Sequence, residues 1–163
     1  MIDDLENLLN SNYKVKRRGG NYILTEFQEK DFPETILKAQ GKHLLYKFDN
    51  DPYLLNIFEN IKGAKRLADY ICFYEHKSIL NVFIIELSMK KWKTKQKKTT
   101  INLSDYVINN LNTIFGSNVK PVFKYICLTQ KGIPKFTTKP KDRSDYFLKA
   151  GDELNITYFC SLP

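Results

Sequence analysis

A chain of 163 residues with 42% hydrophobic and 27% charged side chains has the size and make-up of one globular domain, able to bury roughly 70% of its unfolded surface. Aromatic residues at 13% argue against a disordered chain, and the longest apolar stretch, Val82 to Leu87 interrupted by Glu86, is far short of the roughly 20 residues of a membrane helix. Lys and Arg number 26 against 18 Asp and Glu, a net +8 that favours acidic partners such as phosphate backbones, or else serves as a solvated cationic surface.

Cys72, Cys127 and Cys160 lie in apolar runs without a CxxC pair or a nearby pair of histidines, so they read as buried thiols rather than a zinc or redox site. An odd cysteine count and an acidic start, Met1-Ile2-Asp3-Asp4, in place of a cationic leader lead to the expectation of a cytoplasmic protein.

Ile2, Leu5, Leu8 and Leu9 recur at helical spacing, with Asp3, Asp4 and Glu6 in the first turn where the helix dipole favours anions. Tyr13 to Arg17 and Tyr22 to Phe27, joined through Arg18-Gly19-Gly20-Asn21, predict a basic hairpin. Asp31, Pro33 and Gly41 bracket a predicted short helix through Ile36 and Leu37, and Leu44 to Phe48 reads as a strand. Leu54, Ile57, Phe58 and Ile61 share a helical face before Gly63, in a segment short enough to be either a helix or a loop. Asp69 to Glu75 and Ile79 to Ser88 are apolar, β-branched and aromatic, and the three residues between them predict an antiparallel pair. After the cationic run from Lys90 to Thr100, Val107, Leu111 and Ile114 place a helix over Leu103 to Phe115, closed by Gly116. Val122 to Thr129 and Leu154 to Cys160 read as strands, with a helix from Arg143 to Ala150 between Asp142 and Gly151. A lysine-rich loop spans Gln130 to Asp142, and the β-α-β ending favours parallel pairing. The expected fold is α/β, a mixed central sheet flanked by helices. It forms one domain over residues 1–163, with residues 1–42 an N-terminal extension and 44–160 the core.

Two carboxylates stand out within this pattern. Asp69 heads its strand after Lys65 and Arg66, and Glu86 lies inside a run apolar enough to be central in a sheet, where an unpartnered carboxylate is expensive to bury. A divalent ion such as Mg²⁺ shared with Asp69 is one solution, since hard cations take carboxylate oxygens and keep waters for phosphate chemistry. Pairing with Lys65, Arg66 or a backbone amide is the other.

An Asp opening one strand followed by Glu86-Leu87-Ser88 in the next resembles the PD-(D/E)xK nuclease-like superfamily, whose motif is an Asp and then Glu-x-Lys. The resemblance in layout runs roughly from Leu44 to Cys160. It implies a restriction-endonuclease-like αβββαβ core and hydrolysis of phosphodiester bonds in DNA or RNA, in defence, restriction or repair. It further implies Mg²⁺ or Mn²⁺ on Asp69, Glu86 and the Leu87 carbonyl, with a lysine beside the attacking water. Ser88 stands at the motif lysine, and a hydroxyl supplies neither the charge nor the base. Lys90 lies on the same strand face two residues on, roughly 6–7 Å away, and is the candidate replacement; Lys91 to Lys98 offer others. A catalytically degenerate relative that binds nucleic acid, or a subunit of a larger complex, is the alternative. Glu59 and Glu34 are candidates for a third acid from a preceding helix, against the simpler role of exposed charges.

Lys90, Lys91, Lys93, Lys95, Lys97 and Lys98 surround the only tryptophan, Trp92. Lysines neutralise phosphates and an aromatic ring stacks on an exposed base, so Lys65, Arg66, Lys91, Trp92, Lys93 and Lys95 are candidate nucleic-acid contacts; a mobile solvated linker is the competing reading. His43 and His76 stand alone and read as structural or surface residues. No hydrolase triad, phosphate loop or dinucleotide fingerprint is visible. A homodimer or a partner protein remains open, and no membrane partner is expected.

Overall fold

The computed structural model describes residues 1–26, 31–48, 67–88, 94–130 and 145–160. Among these, helix α1 (Ile2–Leu8) is followed by strands β1 (Tyr22–Leu24), β2 (Thr35–Lys38), β3 (His43–Tyr46), β4 (Tyr70–His76) and β5 (Ile79–Ser88). Helix α2 (Thr94–Phe115), strands β6 (Val122–Thr129), β7 (Asp145–Lys149) and β8 (Glu153–Asn155), and helix α3 (Ile156–Cys160) complete the order. The fold is mixed α/β, as expected, but built on two sheets. One has five strands in the order β3-β4-β5-β6-β7, and the other three in the order β1-β2-β8.

The larger sheet changes sense at its middle. β3, β4 and β5 form an antiparallel meander, whereas β6 and β7 run parallel to β5. Parallel pairing needs a crossover, and α2 supplies it between β5 and β6. The β4–β5 turn is only Lys77-Ser78, both at positive φ (49° and 62°), the backbone whose twist matches the flanking strands of a two-residue hairpin.

Alternation along β5 sends successive side chains to opposite faces. Phe83, Ile85 and Leu87 pack with Leu45, Cys72, Ile126 and Leu128 against Tyr22, Leu24, Leu37 and Leu154 of the small sheet. Leu80 and Val82 face the other way, where Ile2 and Leu5 of α1 and Ile108 and Leu111 of α2 cover Leu44, Tyr46, Ile71 and Phe73. The molecule therefore has three layers: helices α1 and α2, the large sheet, and the small sheet with α3. Helix α1 and strands β1 and β2 each bury side chains in these clusters.

Four expectations change. The segment bracketed by Asp31, Pro33 and Gly41 is strand β2, not a helix: Thr35 and Leu37 point inward while Ile36 is exposed, a period of two that the capping-type residues disguised. Residues 145–149, read as part of a helix, form β7 parallel to β6. Leu154 to Cys160, read as one strand, is the short β8 followed by α3. The basic hairpin is only a turn, with Arg18 and Asn21 bonded across Gly19-Gly20, while Lys14 and Val15 run beside β3 and β1 pairs with β2. The segment around Leu54 to Gly63, with Glu59, and the loop from Lys131 to Asp142 lie outside the described residues.

Candidate functional site

Asp69 sits where the chain bends into β4. The β4–β5 register pairs Tyr70 with Ile85, and one further step puts Asp69 opposite Glu86 and residue 68 opposite Leu87. The chain leaves the ladder before that last pair forms. Asp69 Oδ2 takes the vacated acceptor position and receives the Leu87 backbone N–H at 2.5 Å. The Asp69 carboxylate is thereby fixed one residue from Glu86. Leu87 donates toward β4, and the N–H and C=O of one strand residue point to the same neighbour, so its carbonyl is directed to the Asp69 side as well.

Glu86 is 1% exposed and pairs in register with Cys127 of β6; Ser88, also buried, pairs with Thr129. Glu86 shares its face of β5 with Ile84, which packs with Ala68, Tyr125 and Cys127 beneath α2. Asp69, Glu86 and Leu87 are thus neighbours at the C-terminal end of β5, beside β6, the end of the parallel strands where α/β folds build sites. Their oxygens are a hard donor set suited to a small divalent cation. No cluster of three or more His, Cys, Asp or Glu suited to a metal occurs among the described residues.

Helix α2 roofs this end through polar contacts that sequence periodicity missed. It begins at Thr94, inside the cationic run read as a polar stretch ahead of the helix. Gln96, Thr100 and Ser104 recur every four residues on its inward face, and all three are buried. Gln96 Nε2 donates to the Leu67 carbonyl at 3.1 Å, and the Thr100 hydroxyl accepts the Ala68 N–H at 2.8 Å. Gln96 Oε1 is buried with no hydrogen-bond partner among the described residues. Lys97 holds its Nζ 5.4 Å from the centre of the Tyr125 ring, on the sheet face that carries Glu86.

Of the other sequence candidates, Lys90, Lys65, Arg66, Lys91, Trp92 and Lys93 lie outside the described residues, and Lys95 is the second residue of α2. Glu34 is exposed just before β2, on the small sheet and away from the acids, and it does not belong to a helix. None of the described helices is long and apolar enough to cross a membrane. No family model, no curated protein and no solved structure matches the chain.

Proposed function

We propose that the chain is a metal-dependent nuclease that hydrolyses phosphodiester bonds in DNA or RNA at the Asp69–Glu86 pair. The observation that carries this reading is the Asp69 carboxylate anchored on the Leu87 N–H, one residue from the buried Glu86. Within the large sheet the order β3-β4-β5-α2-β6, antiparallel up to β5 and parallel beyond it, supports it, since it follows the βββαβ part of the order that the resembling superfamily uses, with β1 and β2 of the small sheet falling between α1 and β3. Asp69, Glu86 and the Leu87 carbonyl would hold Mg²⁺ or Mn²⁺, which polarises a phosphoryl oxygen and acidifies a bound water. Lys90 or Lys97 supplies the positive charge that Ser88 lacks, neutralising the scissile phosphate or orienting the water. The cationic run from Lys91 to Lys95, with Trp92, and the pair Lys65 and Arg66 would supply phosphate neutralisation and base stacking for the nucleic acid.

Single- and double-stranded DNA and RNA incubated with the full chain and Mg²⁺ or Mn²⁺ test this reading. Cleavage is expected to disappear in Asp69→Asn and Glu86→Gln, and cleavage that persists in the double variant overturns it. Comparing Lys90→Ala with Lys97→Ala identifies the lysine in use. Ser88 favours a second reading, a binding protein that has lost catalysis. Salt-dependent binding without cleavage under either metal selects it.

A further inference from the structure

A second concave site lies at the far end of the sheet, on other elements. A cavity of about 860 Å³ opens between α1, the segment from Ser11 to Arg17 and the start of β3. That volume is typical of a site for a small organic ligand. His43 pairs with Tyr74, and from Asp69 to Tyr74 along β4 is roughly 16 Å at about 3.3 Å per residue. This site and the acid pair are therefore separate.

Four cations and two acids line the cavity, and the pairing among them is specific. Lys42 bonds Asp3 at 2.6 Å and Lys14 bonds Glu6, which neutralises one wall. Lys16 and Arg17 have no carboxylate partner among the described residues. Arg17 is nevertheless held in place. Its guanidinium lies 5.4 Å over the Tyr22 ring, and one terminal nitrogen is 2.5 Å from His43 Nε2. His43 is itself only 7% exposed, and its Nδ1 is 2.8 Å from the Gly41 carbonyl. A carbonyl oxygen can only accept, so Nδ1 carries the proton and Nε2 is the acceptor for Arg17. The backbone beneath is pinned as well: Val15 donates to Leu45 at 2.8 Å, and Arg18 donates to Asn21 at 2.7 Å.

A buried neutral histidine that spends its one lone pair orienting an otherwise exposed arginine leaves that guanidinium, on a residue lining the cavity, with further N–H donors. Two adjacent cations without counter-charges match a group carrying about −1.5 to −2 charges, and the planar fork of arginine matches phosphate oxygens. The geometry points to a binding site for a phosphate-bearing ligand of nucleotide size, with Arg17 and Lys16 on the phosphate. Its source is either a free nucleotide or the phosphorylated end of a nucleic-acid strand.

Calorimetry and amide NMR on the full chain test the site with four probes: inorganic phosphate, adenosine monophosphate, and a trinucleotide with and without a 5′-phosphate. Acetate serves as the control anion. Phosphate-bearing probes are expected to bind and to shift the amide signals of Arg17, Gly41 and His43. Arg17→Gln and, separately, Lys16→Gln, which leaves the His43 contact intact, should each weaken binding about tenfold, while Asp69→Asn leaves it unchanged. Binding of the monophosphate selects the free nucleotide, and binding only of the phosphorylated trinucleotide selects the strand end. Acetate binding as tightly as phosphate, shifts confined to other residues, or affinity indifferent to both substitutions overturns the site.

Discussion

Ala68 donates its backbone N–H to the Thr100 hydroxyl at 2.8 Å, and Thr100 donates in turn to the Gln96 carbonyl at 2.8 Å. One buried hydroxyl thus ties the segment that presents Asp69 to the helix above it. Thr100→Val keeps the shape but strips the Ala68 N–H of its acceptor, which costs about 1–3 kcal/mol for a buried donor. Urea unfolding is expected to show a lower midpoint with an unchanged slope.

Metal binding at the acid pair predicts a linkage. A ligand that binds only the folded chain stabilises it by about 2.7 kcal/mol at a hundred times its dissociation constant. Thermal unfolding should move upward with added Mn²⁺ or Mg²⁺ in the wild-type chain, and Glu86→Gln should abolish the movement. Equal shifts in both proteins would place the ion elsewhere.

His43 sets a pH dependence. Burial, and secondarily the nearby Arg17 charge, hold its pKa below the ordinary 6.5, against the opposing hydrogen bond to Gly41. The unfolded chain therefore takes up a proton at a pH where the folded chain does not. Stability from this residue is whole above about pH 7 and declines as pH falls from 6.5 toward the lower folded value. His43→Gln should flatten that part of the stability profile, measured by chemical unfolding between pH 7.5 and about 5.

Lys77 and Ser78 hold the left-handed backbone of the β4–β5 turn with side chains that disfavour it. An asparagine followed by a glycine suits that backbone far better, so the double substitution Lys77→Asn with Ser78→Gly is expected to raise stability by about 1 kcal/mol through relief of the strain. The gain should appear in the urea midpoint while the acid pair at the other end of the hairpin is untouched.

The parts of the fold that sequence periodicity read well are those where one rule acts alone. The β4–β5 hairpin and β6 are long apolar runs between polar turns, and the second half of α2 has a clean apolar stripe ending at Gly116, whose φ is +63°. The errors fall where local and tertiary preferences compete. Asp31, Pro33 and Gly41 imitate helix ends, yet Thr35 and Leu37 are drawn into a strand by Leu154 and its neighbours on β8. The first half of α2 was hidden because its buried face is Gln96, Thr100 and Ser104. Polar residues at helical spacing give no hydrophobic signal, although the spacing itself was there to see. Asp69 and Glu86 were visible as unusual acids in apolar strands; that one of them replaces a missing ladder carbonyl depends on the bend at Asp69, which no pattern announces. The Arg17–His43 arrangement joins residues 26 positions apart and depends on the edge of β3, so it could not be read locally.

The change of strand sense at β5 has a kinetic consequence. The β4–β5 hairpin unites neighbours along the chain through a two-residue turn, whereas β6 reaches β5 only after the 22 residues of α2 have been traversed. Short-range pairings close with less entropy lost, so the hairpin is the expected nucleus and the crossover docks later. Asp69 and Glu86 then come together in a solvated ribbon before their roof arrives, and water rather than protein solvates the two adjacent carboxyl groups at first.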